Sequence, residues 1–220
     1  MKISIMQPTF LPWVGYFNMI IHSDLFVFLD DVQFERRSFQ SRNKLIINKS
    51  AKLISVPVDS KNKFSQLLSE VKINYDRDWV KDHLKSIYYN YCKHKFFNEI
   101  YSILEKDLNC KDDKLINLNC RLIRSICKYL EIDTKFDNSL KYKIKEKKSK
   151  KILGILKSTK GVSDIFPYLT PSDAFSNDSI DVQIEKFVFI WSELTPSISG
   201  RFLSIKNNRA VLPRYLILLT

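Results

Sequence analysis

Short apolar runs and helical-period segments alternate through the first third of the chain. Ile3 to Met6 is an apolar run that Gln7-Pro8 closes, which predicts a short strand. From Phe10 to Ile21 the apolar positions Val14, Phe17, Ile20 and Ile21 follow helical spacing. Pro12 suits the entry of that helix, where its missing N–H costs nothing. Leu25 to Leu29 is a continuous apolar, aromatic and β-branched run, as expected for a strand covered on both faces. It ends in two adjacent carboxylates, Asp30 and Asp31. Asn43 to Ile47 and Leu53 to Val58 predict two more strands around the polar turn 48–50. Pro57 places the second of these at an edge or a strand end. Gln66 to Ile73 predicts another short strand.

The pattern then turns helical. Trp79, Val80, His83, Leu84, Ile87 and Tyr91 recur at steps of three and four. Phe96 to Leu108 and Leu115 to Leu130 predict two further helices, with Asp112 and Asp113 as an acidic N-terminal cap for the last. Asp133 to Lys151 reads as a highly charged loop and Lys151 to Ser158 as a short helix stopped near Gly161. Val162 to Phe166 and Lys186 to Trp191 read as short strands, with Pro167, Pro171, Pro196 and Pro213 marking turns. No internal repeat is visible. The fold class expected is α/β: an N-terminal, mostly parallel sheet with flanking helices, then a helical segment. The strands at 3–6 and 25–29 should be adjacent, parallel and buried. The whole of 1–220 is expected to be one domain, with an α/β part to about 75, a helical part over about 76–131, and a basic loop and C-terminal part from 132.

Composition narrows the chemistry. Only 4 glycines occur, and no GxGxxG or P-loop pattern is present, so no Gly-rich phosphate cradle is expected. No apolar window has transmembrane length and the N-terminus lacks signal-peptide character, which leads to the expectation of a cytoplasmic protein without a transmembrane segment. Cys92, Cys110, Cys120 and Cys127 have no metal-ligand spacing and are expected to be buried or half-buried thiols, Cys120 and Cys127 on one helix face. His22, His83 and His94 are scattered. No permanently bound metal or redox cofactor is therefore expected; a transient Mg²⁺ arriving with a phosphorylated donor would sit beside Asp30 and Asp31. The net charge of +12 concentrates in the lysine-rich run 141–151. Such a run binds anions, including nucleic acid or phosphorylated substrates, or is simply a solvated face.

In an open α/β sheet, ligands bind beyond the carboxyl ends of the strands. That edge collects the candidate site residues. Asp30 and Asp31 can orient a substrate ammonium or hydroxyl, act as general base, or hold a cation. The structural alternative is that one caps a turn and the other pairs with Arg36 or Arg37. Gln7 suits recognition of a hydroxyl, carboxamide or base, or a bond within its own turn. Trp13, Tyr16 and Phe10 suit a stacking floor, or core packing. Arg42 and Asn43 suit contact with a phosphate or an acyl carbonyl.

The segments Ile5-Met-Gln-Pro-Thr-Phe-Leu-Pro-Trp-Val-Gly-Tyr-Phe17, Asp24, Phe26-Val-Phe-Leu-Asp-Asp-Val-Gln-Phe34 and Ser41-Arg-Asn-Lys44 together resemble the WbqC-like family of bacterial proteins. A looser resemblance runs on through Ser55 to Val58, Lys61 to Ile73 and the following helices, and thins after about Leu140. Two departures stand out. Ser41 replaces a common Asn, and Leu203-Ser-Ile205 is followed by Lys206 where family members often carry Asp. The family occurs in gene clusters for O-antigen and other surface polysaccharides of the lipopolysaccharide type. The resemblance implies a transferase moving an aminoacyl or acyl group, such as glycine, onto an amino sugar. Asp30 and Asp31 would be catalytic, and Gln7, Trp13, Tyr16, Gln33, Arg42 and Asn43 would bind substrate. Its partners would be an activated sugar or an acyl or aminoacyl donor, an anionic phosphate-bearing ligand, and nucleic acid only as a tRNA-linked donor.

Two alternatives stay open. One is a nucleotidyltransferase-like enzyme: the strand, Pro-rich turn, helix and Asp-led strand resemble the start of the HIGH-signature superfamily, and Ser197-Ile-Ser-Gly200 resembles its Ser/Gly segment. The signature histidines are absent from Leu11–Tyr16, however. The other is a non-catalytic sugar-nucleotide or nucleic-acid binding protein using the lysine run.

Overall fold

The computed structural model describes residues 1–61, 63, 65–146, 148–159 and 164–165. The expected strand at 186–191 and the Ser/Gly segment at 197–200 lie outside them. The chain begins with β1 (Lys2–Met6), α1 (Val14–Ile21) and β2 (Leu25–Phe28). The two strands pair in parallel, Ile3 with Leu25 through Met6 with Phe28. An all-parallel sheet forms around them in the order β5-β2-β1-β6, with β5 at Lys135–Asn138 and β6 at Asp164–Ile165. The predicted α/β class and the adjacency of the first two strands hold.

Alternation along β2 explains the layering. Phe26 and Phe28 face one side, where α1 packs: Tyr16 lies 5.3 Å from Phe26, and Phe28 stacks on Phe136 of β5 at 5.4 Å and 8°. Val27 faces the other side and meets Ile155 and Leu156 of α5 (Lys148–Ser158). All three residues of β2 from Phe26 to Phe28 are fully buried, as an apolar run covered on both faces must be.

β3 (Arg42–Ile47) and β4 (Ser50–Ser55) form a separate antiparallel hairpin, turned by Asn48 and Lys49 at positive φ. The helices α2 (Trp79–Tyr91), α3 (Phe97–Leu108) and α4 (Leu115–Tyr129) follow close to their predicted bounds. α2 lies on the hairpin, where the Tyr91 hydroxyl accepts from the Ile46 N–H at 2.7 Å. α4 carries the largest apolar face, with Leu115, Leu118, Leu122 and Ile123 fully buried, and shares the core of α1 and β2.

Four expectations need correction. The charged loop at 133–151 contains β5 and a 3₁₀ turn over Ser139–Tyr142, and α5 begins before Lys151. Its strand reads KFDN; only Phe136 is apolar, so no apolar run marks it. The strand expected at 66–73 is a 3₁₀ turn at Leu68–Glu70, flanked by isolated bridges at Leu67 and Ile73. Lys114, rather than Asp112 or Asp113, is the N-cap of α4. Cys120 and Cys127 are buried as expected, whereas Cys92 and Cys110 are exposed. At Gly15 an added Cβ would collide with the Trp13 indole, which folds over it.

Candidate functional site

The parallel strands deliver their C-terminal ends to one edge: Gln7 follows β1, Asp30 and Asp31 follow β2, and Ser139 follows β5. Alternation continues past the end of β2 and parts the two carboxylates. Asp30 falls on the side of Phe26 and Phe28, toward α4. Asp31 falls on the side of Val27, where its carboxylate meets the Lys151 ammonium of α5. That salt bridge replaces the expected partnership with Arg36 or Arg37.

Asp30 is 3% exposed and firmly held. Its Oδ1 accepts from the Ser139 hydroxyl at 2.7 Å and the Leu140 N–H at 3.1 Å, and its Oδ2 accepts from Asn138 Nδ2 at 2.7 Å. Ser139 Oγ also lies 2.5 Å from Asp31 Oδ1 and accepts from the Asp30 N–H at 3.1 Å. A hydroxyl has a single proton, so it serves one carboxylate at a time. An ionised carboxylate offers about four acceptor directions. Among the described residues, Asp30 has at most three of these filled, and only Asn138 donates to Oδ2.

A cleft of about 410 Å³ opens over Asp30. Ser69, Asn138 and Leu140 border it near the strand ends, and α4 forms its opposite wall with Lys114, Asn117, Cys120, Arg121 and Arg124. Arg121 is engaged by the Asp107 and Asp112 carboxylates. Arg124 instead lies over the faces of Phe28 and Phe136, at 5.2 and 5.7 Å from the ring centroids. Burial pushes the Cys120 thiol up to about 12; Arg124 opposes that shift and Asp30 adds to it. A thiol so raised is no nucleophile near neutral pH. The cleft can therefore take a ligand that offers an N–H or O–H to Asp30 and negative charge to α4.

The other candidates do not line this cleft. Gln7 accepts from Gln40 Nε2 at 2.5 Å, and its carbonyl accepts from the buried Tyr16 hydroxyl at 3.3 Å. Tyr16 is part of the core, where burial raises its phenol well above the usual range. Trp13 is half-buried against Gly15. Asn43 is buried and donates to the Leu11 carbonyl and, at 3.3 Å, to that of Phe10. Asn119 of α4 donates to the Pro8 and Gln40 carbonyls, which ties α4 to the same turn. Arg42 donates to the Arg37 carbonyl. Gln33 is exposed and bridges to Leu67 through its backbone. Of the lysine run, Lys141 and Lys151 are committed to Asp137 and Asp31, and Lys147 lies outside the described residues.

Sequence reasoning missed Asn138, Ser139, Lys114, Arg121 and Arg124. A signal for the α4 group was present. Lys114, Asn117, Arg121 and Arg124 recur at steps of three, four and three, a polar stripe beside the apolar face of one helix. No cluster of three or more His, Cys, Asp or Glu side chains among the described residues could hold a metal ion. No helix among them is long and apolar enough to cross a membrane.

A parallel α/β sheet with a polar cleft over its C-terminal edge defines the class of the molecule. Within that class, the chain belongs to the WbqC-like protein family, whose model matches residues 7–189, well past the thinning expected near Leu140. It is 34% identical over 155 residues to an uncharacterized protein of Mycobacterium tuberculosis, covering 70% of this chain and 67% of that one. No solved structure matches the chain.

Proposed function

We propose that the protein is a transferase of surface-polysaccharide biosynthesis that moves an aminoacyl or acyl group, such as glycine, from an activated donor onto an amino sugar held in the cleft over Asp30. The observation that carries this reading is the acceptor direction on Asp30 Oδ2 that no second donor among the described residues fills, in a carboxylate otherwise fixed by three donors. Family membership supports the choice of chemistry.

An amine attacking an acyl carbonyl forms the new C–N bond, loses a proton and expels the donor's leaving group. Asp30 Oδ2 accepts the amine N–H and then its proton. Its donors Asn138, Ser139 and Leu140 keep the carboxylate from turning away, so the amine is met in one orientation. The donor's negative charge lies toward the cations of α4, and any Mg²⁺ arrives with that donor.

The test is an acyl-transfer assay by mass spectrometry, offering activated glycine donors, glycyl-tRNA included, and nucleotide-linked amino sugars. Asp30→Asn should stay folded and lose roughly 100-fold or more in turnover, the usual scale for a lost general base. Full turnover in folded Asp30→Asn protein would remove Asp30 from the chemistry.

A further inference from the structure

We infer that Arg124 is the anchor for a phosphate group on the ligand whose amino or hydroxyl end lies on Asp30. The inference rests on the reading of this cleft as the substrate site and adds the class of ligand and the residues that select it.

Three observations converge. The first is which cations are already used. Arg121 is bound by Asp107 and Asp112, whereas no carboxylate among the described residues forms a salt bridge with Arg124 or Lys114. The second is posture. The Arg124 guanidinium lies over the Phe28 and Phe136 rings, which are themselves stacked at 5.4 Å, and its Nη2 reaches Asn138 Oδ1 only at 3.5 Å. A guanidinium laid on an aromatic platform keeps its cation–π attraction while its in-plane N–H groups stay available to an anion. The third is position. Arg124 and Asp30 line the same cleft, as does Cys120, on whose thiol both act electrostatically. A ligand bridging them must be anionic at one end and a hydrogen-bond donor at the other.

Phosphate fits this pair better than carboxylate does. A phosphate monoester carries about two negative charges at neutral pH. Arg124 offers that charge a bidentate fork, and Lys114, at the far end of the same wall about 15 Å along α4, adds positive potential to the cleft. Arg42, the arginine that the sequence placed at this task, is turned to the Arg37 carbonyl.

Inorganic pyrophosphate, titrated calorimetrically at low salt into the full chain, is the probe. The unaltered protein should bind it, and Arg124→Ala should weaken binding at least tenfold while Arg124→Lys loses less. Lys52→Ala, an exposed hairpin cation away from the cleft, should change it less than twofold. Thermal melts establish that each variant is folded. Absence of pyrophosphate binding, an equal loss in Lys52→Ala, or acetate binding as tightly as pyrophosphate would each overturn the phosphate anchor. The transferase reading fails separately. Pyrophosphate binding that depends on Arg124 in a protein without acyl transfer keeps the anchor and removes that chemistry; turnover that depends on Asp30 with unaltered binding in Arg124→Ala does the reverse.

Discussion

The Lys151 ammonium closes on the Asp31 carboxylate across 120 positions of sequence, and the two side chains are only 12% and 11% exposed. The pair fastens α5 to the end of β2, on the side of the sheet away from the cleft. Its effect reaches Asp30 through Ser139, whose hydroxyl lies within hydrogen-bond distance of both carboxylates. With Lys151 satisfying Asp31, the Ser139 proton is left for Asp30.

Breaking a largely buried ion pair by removing one partner strands the other charge, at a cost of about 3 kcal/mol. Lys151→Ala and Asp31→Ala should each lower stability on that scale, and the double variant should lose clearly less than their sum. Urea denaturation of the four proteins measures the coupling. Additive losses would mean that the two groups do not interact in solution.

Leu11 stands at φ 48 and is buried, a left-handed backbone that a branched side chain rarely adopts. Asn43 donates to the Leu11 carbonyl and so holds the turn in that state. Asn43→Ala leaves a buried carbonyl short of its donor and should cost about 2 kcal/mol. Asn43→Asp should cost more, because it also sets negative charge against that carbonyl. Chemical denaturation ranks the two variants; an Asp no worse than Ala would show that the side-chain donor does not hold the turn.

Much of this was legible in the chain because the local signals agreed with the tertiary outcome. β2 is an uninterrupted apolar run, and α2, α3 and α4 keep strict helical spacing, so their positions followed from pattern alone. β5 was not legible. Its single apolar residue, Phe136, takes its place by stacking on Phe28, a partner 108 positions earlier. The site divided along the same line. Asp30 and Asp31 were readable from the end of a strand, but the partners of Asp30 come from the unread strand and its turn. Asn43 and Gln7 carried the right chemistry for recognition, and nothing local showed that Leu11 and Gln40 would engage them.

His83 on α2 offers a test through pH. Its ring packs against Trp79 at 5.3 Å and Phe10 at 6.4 Å. Burial pulls its pKa down from 6.5 to about 4, against a smaller opposing effect of Asp82. The folded protein therefore resists a proton that the unfolded chain takes up near pH 6.5. Between about 4 and 6.5 the unfolded state binds more protons than the folded one, so stability rises with pH across that window. This contribution is complete above the unfolded value and is lost as the pH falls, levelling off below about 4. His83→Gln removes the titration while keeping a polar side chain of similar reach. The urea midpoint should fall between pH 7 and pH 4 in the unaltered protein, and by less in His83→Gln. Parallel curves for the two proteins would place the acid sensitivity in other groups and return His83 to an ordinary solvated imidazole.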